Sequence, residues 1–167
     1  MQILETNRLL LRELEVEDAP FILALLNSPG WIQFIGDRNV KTIADAEAYI
    51  EKGPQKSYAQ NGHGLYLAEI KNTAIPAGIS GLIKREGLAE VDLGFAFLPE
   101  FEGKGYAYEI CEALLYHSQK ILAGKKVLAI TVKENSRSIG LLKRLGFTFQ
   151  KTIRLPKDTE ELMLFQK

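Results

Sequence analysis

The chain has 167 residues, 46% of them hydrophobic and 25% charged, and its 21 basic side chains balance 21 acidic ones. That length suits one domain over residues 1–167, able to bury about 70% of the surface its unfolded chain exposes. One cysteine and two distant histidines, His63 and His117, exclude a disulfide framework and leave no metal-ligand spacing, and zero net charge argues against a nucleic-acid binder.

The opening MQILETNRLLLREL is charged at once and lacks an apolar core with a small-residue cleavage site, so a cytoplasmic protein is expected. Arg8–Leu14 reads as a first strand and Asp18–Asn27 as a helix, ended by Pro29-Gly30. The uncharged run Ala19–Gly36 is broken by Asn27, Ser28, Pro29 and Gly30, so it reads as a helix, a turn and a second short element and spans no membrane. A second helix, about Ile43–Glu51, starts after Thr42 and stops before Gly53-Pro54. Gly64–Lys71, Ala77–Arg85 and Ala89–Leu98 form an antiparallel meander of short apolar runs divided by turn residues. From Gly105 the period is helical, with Ala107, Cys111, Leu114, Ser118 and Ile121 on one face and Gly124 as the stop. Val127–Val132 is a short buried strand. Asn135 opens a helix with Ile139, Leu142 and Leu145 inward, ended by Gly146, and strands near Phe147–Ile153 and Glu161–Phe165 close the chain. Such an order suits an α/β (α+β) protein with a mixed sheet.

Two segments can carry chemistry. In Asp92–Glu109, DLGFAFLPEFEGKGYAYE, a strand passes through a loop holding Gly103 and Gly105 straight into a long helix. The free N–H groups at such a helix start suit a phosphate, and a tight turn alone would also need the glycines. It is neither a Walker A loop nor a dinucleotide fingerprint, since no Lys-Ser/Thr follows and Tyr108 sits at the third glycine position. In Lys133–Phe147, KENSRSIGLLKRLGF, Asn135 is a natural N-cap.

The pairing of P-E-F-E-G-K-G-Y-A-Y-E with N-S-R-S-I-G-L-L-K-R-L-G-F, each after a strand and leading a helix, resembles the GNAT superfamily of N-acetyltransferases. The opening ETNRLLLRELEVEDA resembles its branch of ribosomal-protein N-terminal (RimJ/RimL-like) acetyltransferases, and the resemblance covers nearly the whole chain. It implies the acyl-CoA N-acyltransferase fold, a mostly antiparallel sheet of about seven strands, splayed between the fourth and fifth, with helices on both faces. It also implies acetyl-CoA as cosubstrate, no metal, and a primary amine as acceptor in a monomer or homodimer. A protein or peptide N-terminal α-amine leads. A small amine (polyamine, amino acid or antibiotic) and a non-catalytic acyl-CoA-binding sensor are the alternatives.

By the same resemblance, the backbone of Phe95, Ala96 and Phe97 would bond the pantetheine arm. Gly103, Lys104, Gly105, Tyr106, Ala107 and Tyr108 would cradle the pyrophosphate. Asn135 would contact pantetheine, and Ser138 would lie beside the thioester sulfur. Two positions depart from the family pattern: Glu102 replaces the Gln or Arg that opens the loop motif, and Leu142 replaces a tyrosine that serves many relatives as general acid. A primary amine with a pKa near about 10 must lose a proton before attack. Asp92 is the candidate base, with Glu160, Glu161 or water as substitutes, and Ser138 is the candidate acid or thiolate stabiliser. Cys111, on the apolar helix face without a basic neighbour, reads as core, so direct attack in a ternary complex is expected. Trp31 and Phe34 border the acceptor pocket or fill the core. Lys120–Lys157 holds ten basic residues against one acid, and Glu86–Glu112 seven acids against one base. These stretches would receive cofactor phosphates and a cationic amine, respectively, unless they are merely solvated faces.

Overall fold

Short runs of β-branched and aliphatic residues assemble into one eight-stranded sheet in the computed structural model, which describes residues 1–167 apart from the side chains of Lys120 and Ile121. The strands are β1 Gln2–Glu5, β2 Leu9–Arg12, β3 Leu65–Ile70, β4 Ile75–Ile83, β5 Asp92–Phe97, β6 Leu128–Thr131, β7 Thr148–Ile153 and β8 Leu162–Gln166. Their order is β1-β2-β3-β4-β5-β6-β8-β7, antiparallel throughout except between β5 and β6. The sheet has one strand more than expected. Gln2–Glu5 is an edge strand with both ends exposed, so it shows no alternating apolar run of its own and is recognisable only by its pairing with β2.

Helices cover both faces. On one, α1 (Ala19–Leu26), α2 (Pro29–Phe34) and α3 (Ile43–Ile50) bury Ile22, Leu25, Trp31 and Ile50 against Leu67 and Ile79. On the other, α5 (Tyr106–Leu122) and α6 (Ser136–Arg144) pack Ile110, Cys111, Leu114 and Leu142 against Leu9, Leu11, Ala68 and Leu93. The expected stripe on α5 is buried at Cys111, Leu114 and Ser118 and half-buried at Ala107. Ile121 lies outside the described residues. Arg12 ties the layers together, donating to Asp18 through two nitrogens at 2.8 Å and to Glu69 at 3.1 Å.

As expected, the first helix stops before Pro29: α1 ends at Leu26, and the second short element is α2, which Pro29 opens at its first position, where a missing N–H is harmless. Gly53-Pro54, by contrast, does not stop the second helical stretch. A π-helical turn, Glu51–Gln55, absorbs Pro54 and leads into α4 (Lys56–Asn61), an additional helix.

The feature that positions the site is the parallel contact of β5 with β6. These strands pair at a single register, Asp92 with Leu128, and Leu128 N–H donates to the Val91 carbonyl at 2.9 Å. Beyond that joint they part, as expected for the fourth and fifth strands of the sequence reading. The β5 backbone from Leu93 onward is therefore left without a strand partner on that side among the described residues.

Candidate active site

A cavity of about 400 Å³ occupies the gap between β5 and β6. Leu93, Gly94 and Phe95 form one wall, Ile130, Thr131, Asn135 and Ser138 another, and Trp31, Phe34 and Tyr49 close it from the α1–α3 side. Of the strand residues expected to meet pantetheine, Phe95 lines the cavity. Ala96 packs toward α1–α3, and Phe97 is buried in the α5 cluster.

Asp92 stands where the two strands join, lines the cavity and is only 1% exposed. Arg85 grips it, with Nε 3.1 and 3.3 Å and Nη2 3.2 Å from the carboxylate oxygens. Burial pushes the Asp92 carboxyl up from its ordinary value, and Arg85 pulls against that rise. Of the alternative bases, Glu160 also lines the cavity, while Glu161 is absent from its lining and pairs with Arg154 at 3.4 Å.

Asn135 performs the capping role its type favours: its Oδ1 accepts from the Ser138 N–H at 3.1 Å. The Ser138 hydroxyl makes no hydrogen bond among the described residues and borders the cavity. Leu142 is 1% exposed and belongs to the core.

The glycine loop runs from a single tight turn, Pro99–Phe101, to α5. Gly103 and Gly105 have φ of +71° and +80°, the left-handed region that glycine enters without strain. Gly105 is the N-cap and supplies no side-chain acceptor, so Tyr106, Ala107 and Tyr108 present the uncapped first turn of a 17-residue helix. Glu102 forms an ion pair with Arg137 of α6, and the acid that departs from the family pattern is thereby neutralised. Two further acids of the segment are paired in the same way, Asp92 with Arg85 and Glu109 with Arg8.

Trp31 is core and cavity wall at once. It is 6% exposed, and its indole N–H is buried without a hydrogen-bond partner among the described residues. Cys111 is fully buried, with Sγ 3.4 Å from Ser80 Oγ, and burial pushes its thiol up to about 12. Two wall residues escape the sequence reading. Arg85 looks like a solvated strand end beside Lys84, and Tyr49 like one more residue of α3. Burial raises the Tyr49 phenol above its ordinary value, so it is a protonated donor at neutral pH.

A parallel strand pair separated by a cavity, followed along the chain by a glycine-linked open helix start, defines an acyltransferase of the GNAT type. Residues 8–148 match the acetyltransferase (GNAT) domain, and the chain belongs to that family. The uncharacterized N-acetyltransferase YoaA of Bacillus subtilis (strain 168) is 25% identical over 154 residues, covering 91% of this chain and 86% of its own. An acetyltransferase from Agrobacterium tumefaciens str. C58 has the same fold, with a TM-score of 0.83 and 22% identity over 100% of this chain and 94% of that one. The ribosomal L7/L12 α-N-protein acetyltransferase RimL, solved with coenzyme A, gives a TM-score of 0.80 at 17% identity over 100% and 97% of the chains.

Proposed function

We propose that the protein transfers the acetyl group of acetyl-CoA to the α-amine of a protein or peptide N-terminus by direct attack in a ternary complex. The observation that carries this reading is the opening of β5 from β6, which frees a strand edge beside Asp92 and leads to the open start of α5. The free β5 edge suits the amide groups of pantetheine, and one of its N–H groups would polarise the thioester carbonyl as charge develops on oxygen. The first-turn N–H groups of Tyr106, Ala107 and Tyr108 suit the pyrophosphate. Asp92 would take the proton of the attacking amine, and the free Ser138 hydroxyl would donate to the departing sulfur. RimL's likeness in fold supports the α-amine acceptor class.

An acetyl-cysteine intermediate has no support. At a pKa of about 12 the Cys111 thiolate is a negligible fraction near neutral pH, and the sulfur is fully buried. Cys111→Ala therefore keeps turnover within about threefold of wild type and loses about 1 kcal/mol of stability as a small core truncation. Turnover below a hundredth of wild type in a folded variant would overturn direct attack.

A thiol-release screen with peptides and small amines, with mass spectrometry of the products, tests the function. Peptides acetylated at the α-amine are expected. Acetylation of small amines alone would move the acceptor class, and acetyl-CoA binding without release of CoA to any amine would make the chain a sensor.

A further inference from the structure

Arg8, in the turn between β1 and β2, lies 96 residues from Lys104 in sequence, yet its Nη1 donates to the Lys104 carbonyl at 2.9 Å. Its Nε donates to Glu109 Oε2 at 2.7 Å, and its backbone N–H to Glu109 Oε1 at 3.0 Å. The Thr6 hydroxyl donates to the same Oε1 at 2.6 Å. The guanidinium carbon lies 4.5 Å from the centre of the Tyr106 ring, and a Cβ built on Gly105 would sit 3.3 Å from Arg8 Nη2. One side chain thus touches the loop at Lys104 and Tyr106, and fills the space beside Gly105 that a larger residue's Cβ would enter, while anchored to Glu109, one turn into α5.

The consequence follows from peptide geometry. In a planar trans peptide the carbonyl and the following N–H point in opposite directions. Holding the Lys104 carbonyl toward Arg8 therefore turns the Gly105 N–H away from Arg8. Left free, a loop with two left-handed glycines would sample other orientations of that peptide plane. The pairing with Glu109 also occupies much of the arginine's charge, so its contribution is aim more than attraction.

We propose that Arg8, anchored by Glu109, is a positioning residue that sets the peptide planes of the Lys104–Tyr106 segment to receive the diphosphate of coenzyme A. This inference rests on the acetyl-CoA reading above.

Calorimetric titration with coenzyme A, together with the KM for S-acetylpantetheine, which lacks the diphosphate, tests it. Arg8→Ala weakens coenzyme A binding about tenfold or more, the scale of a lost charged hydrogen bond, and leaves the S-acetylpantetheine KM within about twofold. Arg8→Lys keeps the charge but not the fork, and binds as weakly as Arg8→Ala. Glu109→Gln removes a negative charge beside the diphosphate and still weakens binding, because the anchor is lost. Tighter binding by Glu109→Gln, or wild-type binding by Arg8→Lys, would show that Arg8 acts by charge alone and overturn the proposal. Equal losses in coenzyme A affinity and in the S-acetylpantetheine KM would overturn it in favour of a general structural role. If wild type itself does not bind coenzyme A, the acetyl-CoA reading fails, and that outcome is distinct from every variant result.

Discussion

Asp92→Asn lowers turnover about a hundredfold or more, the usual scale of a lost general base, and leaves acetyl-CoA affinity within about twofold of wild type. The amide keeps the shape of the carboxylate and a carbonyl oxygen for Arg85 but cannot take a proton. Asp92 sits at the joint of β5 and β6, away from the α5 start where the phosphates are expected, so the cofactor's main anchors are untouched. The pH profile supplies the sharper readout. A base works only when deprotonated, so wild-type activity falls as pH drops through the Asp92 pKa. Burial raises that pKa, with Arg85 opposing, and the acidic limb lies above the ordinary carboxylate range. The Asn variant lacks this limb.

Stability moves differently. Because the folded pKa of Asp92 is raised above its unfolded value, its contribution to stability is fully present below the unfolded pKa and is lost as pH rises through the folded one. Near neutral pH the Asn variant therefore keeps the fold. Arg85, 28% exposed, can hydrate where its ion pair is weakened. Steady-state thiol release across pH, alongside thermal melts, checks both. A variant with more than half of wild-type kcat and an unchanged acidic limb would hand the base role to Glu160 or water.

Residues whose role depends on local context are legible in the chain, and those defined by a distant partner are not. Asn135 reads as a cap and caps α6, Gly105 reads as a helix entrance, and Leu142 and Cys111 read as core and are buried. Each role is set by neighbours within a turn or by apolar spacing. Arg8, Arg85 and Arg137 illustrate the other kind, because what they do is decided by Glu109, Asp92 and Glu102. Glu109 lies 101 residues from Arg8 and Glu102 35 from Arg137, while Asp92, seven residues from Arg85, meets it only because the chain turns back into β5. β1 escapes notice for a related reason, since an exposed four-residue edge has meaning only against β2. The π turn through Pro54 shows local grammar overruled: the helical stretch continues past a residue that would ordinarily end it, with Pro54 buried.

Gly81→Ala destabilises the protein by about 3 kcal/mol or more, at the upper end of overpacking effects, and lowers Tm by about 10 °C. A Cβ at this position would lie 1.9 Å from the Gly64 carbonyl oxygen and 2.7 Å from Gly64 C and Leu65 Cα. All three are backbone atoms, so no rotamer change relieves the clash, and either β3 or β4 must shift. Neither is free to do so. Gly81 pairs with Leu65 on β3 and with Gly94 on β5, and Gly94 lines the cavity two residues from Asp92. A shift that spares the fold must therefore travel into the cavity floor, and surviving Gly81→Ala protein loses turnover even well below its melting point. Gly53→Ala is the matched control, because its Cβ meets nothing within 4 Å and its backbone is not left-handed. That variant melts within about 3 °C of wild type. A Gly81→Ala protein that melts with the control and turns over normally would mean that β3 and β4 slide past one another more easily than their pairing implies. In that case, the position of Asp92 could not be attributed to the rigidity of the strands that carry it.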